Sequence, residues 1–337
     1  MNRLILFSDC DGFRVRFQAT VLLCLSMISG IAQAQDTTEA NANGNNATAS
    51  RNVAADRVWL QPRLSTSNDV SDSWFAPGIQ TIVGKVNRYD AQVLEIERID
   101  STDLTQISPD RVIWIQSAGF KQLEQPMVDL YAAGDYATSL TKLRAILEQR
   151  PAVWRQQWIT MLAANAALRS GRSEIAINLV SQLDRRPLPP VVIAWLPIAW
   201  KRGVSASGVV EQAATKLTDS SEAVRLVAAS WLISSAKRND AITVLKQLRQ
   251  SERREIALLA EALLWRTASP PDVKRSAEQW EKRLSAMPLV LQPGPTQTLA
   301  DQFQAVGLSA DAERLRWSME LTPIHKLFYS SSETTSR

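Results

Sequence analysis

The 337-residue chain is poor in the side chains that carry most metal and nucleophile chemistry, with only two cysteines and one histidine, His325. This scarcity argues against His/Cys zinc sites, multi-histidine metal centres and cysteine nucleophiles. A Ser-His-Asp arrangement would have to use His325, which lies beside the C-terminal tail. The sequence also lacks the two glycine-rich phosphate-binding patterns, G-x-x-x-x-G-K-S/T and G-x-G-x-x-G. We therefore expect no enzymatic activity and no cofactor.

Glycine is also scarce, with 12 residues, and the net charge is only +4. Alanine and leucine are frequent in the C-terminal two thirds of the chain, which favours helix. The basic residues are scattered and do not form the stripe that is typical of nucleic-acid-binding proteins. The sequence therefore predicts no nucleic-acid partner.

The N-terminus has the pattern of a secretory signal peptide covering residues 1–34. Arg14 and Arg16 form a positively charged start, residues 17–31 are apolar, and residues 32–34, Ala-Gln-Ala, match a cleavage site. A membrane anchor is the alternative, but it would need a longer apolar run. Both cysteines lie in this segment, so we expect the mature chain to have no disulfide bond. The pattern predicts export to the bacterial periplasm or cell envelope, with no membrane span after signal removal.

A small β module is predicted at residues 55–118, after a small and polar segment, residues 35–54, that we interpret as a disordered linker. Four β-branched runs predict strands at 57–60, 80–86, 92–99 and 111–116, with a turn at 87–90. In the third, Leu94 and Ile96 alternate with glutamates. This pattern suggests a small SH3-like barrel. The loop between the first and second predicted strands has Trp74 and Phe75 near its end. We interpret this loop as a lid over the small core, with a binding loop as the alternative.

Residues 121–323 show apolar residues at helical spacing almost throughout. Breaks recur at intervals near the period of about 34 residues that is typical of helix-turn-helix repeats. The breaks that end successive predicted helix pairs are Pro151, Pro187, Asp219, Ser251, Pro288 and Pro323. A short cap and a disordered tail are expected at 324–337. The predicted fold class is thus mainly α, with a small all-β N-terminal module.

Three of these units share a sequence pattern. In each, a glycine marks the turn between two helices, and a small residue follows five positions later, where the helices touch. The residues are Gly134, Tyr136, Ser139, Leu143, Ile146 and Pro151 in the first unit, Gly171, Ala176, Val180, Leu183 and Pro187 in the second, and Gly307, Ala312, Leu315 and Pro323 in the last. The third and fifth units depart most from the pattern. In these residues the chain resembles the tetratricopeptide repeat family.

The resemblance implies an α-solenoid of about six helix pairs, because a single pair buries too little apolar surface to be stable alone. In that family such arrays commonly bind peptide segments or helices along a concave face. In the first unit Leu143 is expected to face the core, so that Leu143→Ala would cost about 2–5 kcal/mol.

The chain has eleven tryptophans. Trp154 and Trp158 are four positions apart and share one face of a predicted helix, and Trp195 and Trp200 follow in the third unit. These four residues are candidates for an aromatic groove that binds a partner. The alternative is that they fill the seams between repeats.

Two patterns resemble catalytic motifs. Residues 139–142, Ser-Leu-Thr-Lys, match S-x-x-K, but no companion S-D-N or K-T-G pattern is present, so we interpret the match as chance. The pairs Glu95/Glu97 and Asp100/Asp103 are interpreted as solvated surface carboxylates.

These observations together predict an exported, non-catalytic scaffold that binds another protein or a peptide. The alternative is a protein that binds cell-wall glycan, using the tryptophans and the β module.

Overall fold

The computed structural model describes residues 55–62, 78–99, 101, 103–118, 124–201 and 207–321. Every described residue belongs to one compact unit, Ala54–Arg337. The predicted signal peptide, linker and C-terminal tail lie outside the described residues. So do the loop residues Trp74 and Phe75 and the only histidine, His325.

A small antiparallel sheet forms the N-terminal side of the described chain. Its strands are β1 (Asp56–Leu60), β2 (Gln80–Tyr89), β3 (Leu94–Arg98), β4 (Leu104–Ile107) and β5 (Val112–Gln116). The five strands lie in the order β4-β3-β2-β1-β5. A 3-10 turn at Pro109–Arg111 connects β4 to β5. This architecture confirms the predicted small β module as a five-stranded antiparallel sheet.

The alternation predicted for β3 is confirmed. Leu94 and Ile96 are fully buried, whereas Glu95 and Glu97 lie on the outer face. Successive side chains of a strand point to opposite faces, so one face of β3 contributes to the core. The remaining strands predicted from sequence correspond to β1, β2 and β5.

Two details of the sheet differ from the prediction. β4 was not predicted, because four residues with one polar pair give little periodic signal. The turn expected at residues 87–90 lies later, since β2 continues to the buried Tyr89. Asp90 then forms the turn: its Oδ1 accepts the backbone N–H groups of Gln92 at 2.8 Å and Val93 at 3.1 Å.

The rest of the described chain is helical, which confirms the predicted mainly α class. The twelve helices are α1 (Glu124–Ala132), α2 (Tyr136–Glu148), α3 (Val153–Arg169), α4 (Ser173–Leu183), α5 (Pro190–Ala194), α6 (Ser207–Thr215), α7 (Glu222–Leu232), α8 (Arg238–Leu248), α9 (Arg254–Trp265), α10 (Pro270–Ser285), α11 (Pro293–Ala305) and α12 (Ser309–Leu321). Every second helix ends within a few residues of a predicted break, including Pro151 and Pro187.

Three helix pairs are joined by the same turn. Gly134, Gly171 and Gly307 adopt φ of +82°, +76° and +84°, the left-handed region that favours glycine. In each turn the glycine N–H donates to the carbonyl three residues earlier, and the next N–H donates to the carbonyl five residues before it. This pattern satisfies carbonyls at the end of the first helix and starts the second two residues after the glycine.

The small residue five positions after each glycine is buried. Ala176 and Ala312 are fully enclosed, and the Ser139 hydroxyl donates to the Met127 carbonyl at 2.9 Å. Leu143 departs from the expectation, because it is only partly buried, whereas Ile146 on the next turn of α2 is 2% exposed. Ile146, which was also expected to face inward, supplies the main apolar contact.

Tyr136 and Arg169 link the first helix pair to the second. The Arg169 guanidinium lies 5.2 Å from the centre of the Tyr136 ring and 5.7 Å from that of Tyr131, and it donates to the Tyr136 hydroxyl at 2.7 Å. Burial raises the pKa of Tyr131 to about 12. Tyr136, expected from the repeat pattern, therefore makes contacts in both pairs.

The third and fifth units depart from the simple pairing. The short α5 packs against β5, α3 and the 3-10 turn at Leu289–Leu291, whereas α6 packs against α7 and α4. In the fifth unit α10 packs against α11. The stacked rings of Trp265 and Trp280, with centres 5.7 Å apart, connect α10 to α9. Both α5 and α10 begin with proline, a residue that is favoured in the first turn of a helix.

Candidate functional site

Three of the four candidate tryptophans lie in the interior. Trp154 and Trp158 on α3 are each 6% exposed, and Trp195, just after α5, is 4% exposed. Trp200 is half-buried. Because an aromatic groove needs rings that reach solvent, this placement favours the alternative, in which the rings pack between elements.

The tryptophans connect the sheet to the helices. Trp114 on β5 packs edge-on against Trp158, with ring centres 4.6 Å apart, and Trp158 packs edge-on against Trp195 at 5.0 Å. A cavity of about 10 Å³ remains beside Trp114 and Trp158. That volume holds about one water molecule and no peptide or sugar.

An irregular segment, residues 195–201, packs against several helices, and we call it the strap. Its backbone carbonyls accept hydrogen bonds from side chains of different helices. Trp231 of α7 donates its indole N–H to Pro197 at 2.8 Å, and Asn165 of α3 donates to Trp195. Thr298 of α11 donates to the Trp200 carbonyl at 3.4 Å.

Arg266, directly after α9, holds the second half of the strap. Its guanidinium is buried and donates to the carbonyls of Ala199 and Lys201, the latter at 3.0 Å. Ser230 of α7 accepts the N–H of Ala199 at 3.0 Å. Buried arginines need hydrogen-bond partners, and here the strap backbone supplies them.

The residues that hold the strap were not predicted from the sequence. Arg266 directly follows the apolar helix α9, and Trp231 lies near the end of the apolar helix α7. Each brings a polar group, a guanidinium or an indole N–H, to the end of a buried helix. The sequence shows no sign that a segment 30 or more positions away would be their partner. Helix α7 gives a stronger signal, because all of its residues except Glu222 and Arg225 are buried, and most of them are apolar.

A buried carboxylate lies where the sheet meets α1. Glu124 is 4% exposed and pairs with Arg155 of α3. Burial raises the pKa of Glu124; the Arg155 charge lowers it and the nearby Asp56 raises it further, and the net shift is upward. Asp56 itself accepts the backbone N–H groups of Val86 and Ala118, each at 2.9 Å.

A second opening, larger than the cavity beside the tryptophans, is a groove of about 490 Å³ at the β4 side of the sheet. Its lining residues are Leu60, Pro62, Gln80, Ile82, Thr105, Gln106, Ile107 and Arg111. The Arg111 side chain is held in the wall by bonds to the Gln61 carbonyl at 3.1 Å and to Gln80 Oε1 at 3.0 Å. This groove has the volume of a small-ligand or peptide side-chain site.

The residues that resembled catalytic motifs occupy structural positions. Ser139 is buried between two helices, as expected for a chance S-x-x-K match. The Glu95 carboxylate accepts a hydrogen bond from the Gln106 side-chain amide at 3.2 Å, and Glu97 and Asp103 are exposed. Asp100 lies outside the described residues. Within the described ranges, no three His, Cys, Asp or Glu side chains are grouped to hold a metal ion.

Comparison with known proteins identified no relative of this chain. No protein-family model, no curated protein and no solved structure gives a significant match to the chain. Of the helices that the structure describes, none combines the length and apolar character needed to cross a membrane.

Proposed function

We propose that the protein is an exported, non-catalytic scaffold that binds another protein or a peptide segment through its helices. The observation that carries the proposal is the turn that recurs at Gly134, Gly171 and Gly307, with the same backbone hydrogen bonds each time. A stack of tetratricopeptide-like units would produce this recurrence, which supports an α-solenoid of about six helix pairs. Such arrays offer long side-chain surfaces to a partner.

We propose that the small sheet caps the N-terminal end of the array. We also propose that the sheet closes into an SH3-like barrel. Support comes from the closeness of Asp56 on β1 to Glu124 at the start of α1, and the sheet also reaches the second pair, where Trp114 on β5 packs against Trp158 on α3. The first helices of a stack have no neighbour on one side, so another element must cover their apolar face.

The strap limits where a partner could bind. Its carbonyls already accept hydrogen bonds from side chains on α3, α7 and α11 and from Arg266, directly after α9. A partner would therefore contact the outward-facing residues of the helices and leave the strap in place.

The second candidate, glycan binding by the tryptophans, has less support. Sugar rings stack on aromatic faces that reach solvent, and Trp154, Trp158 and Trp195 are buried. Export rests on the N-terminal sequence pattern, and its test is fractionation of cells that express the full chain with a C-terminal tag. Recovery in the periplasmic or envelope fraction as a shortened chain supports export, whereas full-length protein in the cytoplasm contradicts it.

Cross-linking with mass spectrometry tests the binding proposal. The mature chain is incubated with an envelope extract and treated with a lysine-reactive cross-linker, and the linked positions are mapped. Exposed lysines suited to the test are Lys142, Lys246, Lys274 and Lys282 on helices, Lys237 directly before α8, and Lys85 on the sheet. We expect cross-links from one protein to cluster on the helical lysines. Retention of purified muropeptides without any protein cross-link would favour the glycan candidate instead.

A further inference from the structure

The cavity of about 10 Å³ beside the tryptophans lies where the sheet meets the helices. Its lining side chains include Tyr89 at the end of β2, Trp154 and Trp158 of α3, and Val191 and Val192 of α5. All five side chains are buried. A molecule bound in this cavity would therefore touch the sheet and two helices at once.

Three of these side chains carry polar groups that the surrounding protein does not satisfy. Trp154 and Trp158 are each 6% exposed, and Tyr89 is 3% exposed. Within the described chain, the two indole N–H groups and the Tyr89 hydroxyl have no hydrogen-bond partner of normal geometry. Buried polar groups are nearly always bonded to protein or to ordered water. Three such groups around one cavity therefore indicate a bound ligand.

The hydrogen-bonding chemistry of these groups defines the class of ligand. An indole N–H can only donate, whereas a hydroxyl both donates and accepts. Burial raises the pKa of Tyr89, so this side chain stays a neutral hydroxyl at neutral pH. The Val191 N–H also approaches the Tyr89 oxygen, whose second lone pair is open to a further donor. The ligand must therefore accept hydrogen bonds at the indoles, and it can donate one at Tyr89.

Size and charge narrow the choice to water. The cavity holds about one water molecule. The charged groups that act on Tyr89 are the carboxylates of Glu255 and Asp110, and negative charges of this kind disfavour an anion. An indole N–H has no lone pair to offer a metal ion. A water molecule is neutral, accepts two hydrogen bonds and donates two.

We propose that this cavity is the binding site of one structural water molecule, which accepts hydrogen bonds from the indole N–H groups of Trp154 and Trp158 and donates one to the Tyr89 oxygen. The water joins β2 to α3 beside the edge-on contact of Trp114 with Trp158. It is thus part of the junction that fixes the sheet against the helices. The site is independent of any partner that the helices bind.

A high-resolution crystal structure of the mature chain, with a second crystal soaked in sodium bromide, tests the identity of the ligand. We expect one oxygen-sized density peak within about 2.7–3.2 Å of both indole nitrogens or of one indole nitrogen and the Tyr89 oxygen. We expect no anomalous bromide signal at this position.

Oxygen-17 magnetic relaxation dispersion tests the site in solution, because it counts water molecules that stay in the protein longer than its tumbling time. Val192→Ile adds a methylene group to the cavity wall, and we expect it to remove about one long-lived water. The matched control is Val153→Ile on α3, where the side chain is 49% exposed and the count is expected to stay the same.

A second variant tests the hydrogen bond without adding volume. Tyr89→Phe removes the hydroxyl, and we expect the water to exchange about tenfold faster, as for the loss of one buried hydrogen bond. Circular dichroism verifies that each variant keeps the fold, and the Tyr89→Phe measurement decides the question if Val192→Ile does not fold.

Four results would overturn the proposal. The first is a crystal structure with no ordered atom in the cavity, and the second is a bromide peak there, which would show an anion site. The third is an unchanged count of long-lived waters in folded Val192→Ile. The fourth is an unchanged water exchange rate in Tyr89→Phe. None of these results bears on the cross-links of the helical lysines, so the scaffold proposal is judged separately.

Discussion

The indole of Trp200 occupies the space that a side chain at Gly294 would need. A Cβ built on Gly294 would lie 2.1 Å from Cε2 of Trp200, well inside contact distance. Trp200 is in the strap and Gly294 is in the first turn of α11, so the strap and α11 pack through this contact. The absence of a side chain at position 294 is thus part of how the strap is held.

Gly294→Ala is expected to destabilise the protein by about 1–3 kcal/mol, because the strap or α11 must shift to admit the methyl group. Urea unfolding followed by circular dichroism measures the change. The matched control is Gly208→Ala on α6, where no atom lies within 4 Å of the added Cβ. The control is expected to be neutral or to gain about 0.4–1 kcal/mol. Equal effects of the two changes would contradict the close contact.

Much of the fold was predictable because it rests on local patterns. The alternation of Leu94 and Ile96 gave β3 and its buried face, and Gly134, Gly171 and Gly307 marked the turns in which only glycine is relaxed. These signals act over a few residues. β4 was missed because its four residues have no comparable pattern.

The site could be predicted only in part, because its contacts join distant positions. Tryptophan content suggested either a groove or packed seams, and sequence spacing could not decide between them. The contact of Trp114 with Trp158 and the bond from Trp231 to Pro197 depend on how the sheet and helices dock. The groove beside β4 depends on strand order, which likewise is set by long-range pairing.

Trp231→Phe tests whether the strap is held by its backbone. The change removes the indole N–H that donates to the Pro197 carbonyl and leaves that buried acceptor without this bond. We expect a loss of about 1–3 kcal/mol in the free energy of unfolding, with faster hydrogen exchange in the strap. The control is Trp317→Phe on α12, where the ring is 65% exposed and the expected change is within about 0.5 kcal/mol. Unchanged strap exchange in Trp231→Phe would count against this role.

Ile146→Ala and Leu143→Ala compare two positions on α2. Ile146 is almost fully buried, so its truncation is expected to cost about 2–5 kcal/mol. Leu143 is only partly buried, and its truncation should cost less than about 2 kcal/mol. Thermal and urea unfolding of both variants provide the measurement. A larger loss at Leu143 than at Ile146 would contradict the difference in burial between the two positions.

Glu124→Gln tests the buried carboxylate between the sheet and α1. Burial raises the pKa of Glu124 in the folded protein above its value in the unfolded chain, so the folded state holds the proton more tightly. The stabilisation from this proton is fully present below the unfolded pKa of about 4.3 and is lost as pH rises through the higher folded pKa. Glutamine keeps a polar group beside Arg155 and cannot ionise.

The free energy of unfolding is measured by urea at intervals from pH 4 to pH 8 for the wild type and for Glu124→Gln. We expect the variant to gain stability relative to the wild type as pH rises from about 4, and the difference to level off above the folded pKa. Glu174→Gln, at an exposed position on α4, provides the baseline for removing a surface carboxylate. A Glu124→Gln variant that loses stability relative to the wild type as pH rises would show that the Arg155 charge outweighs burial at this junction.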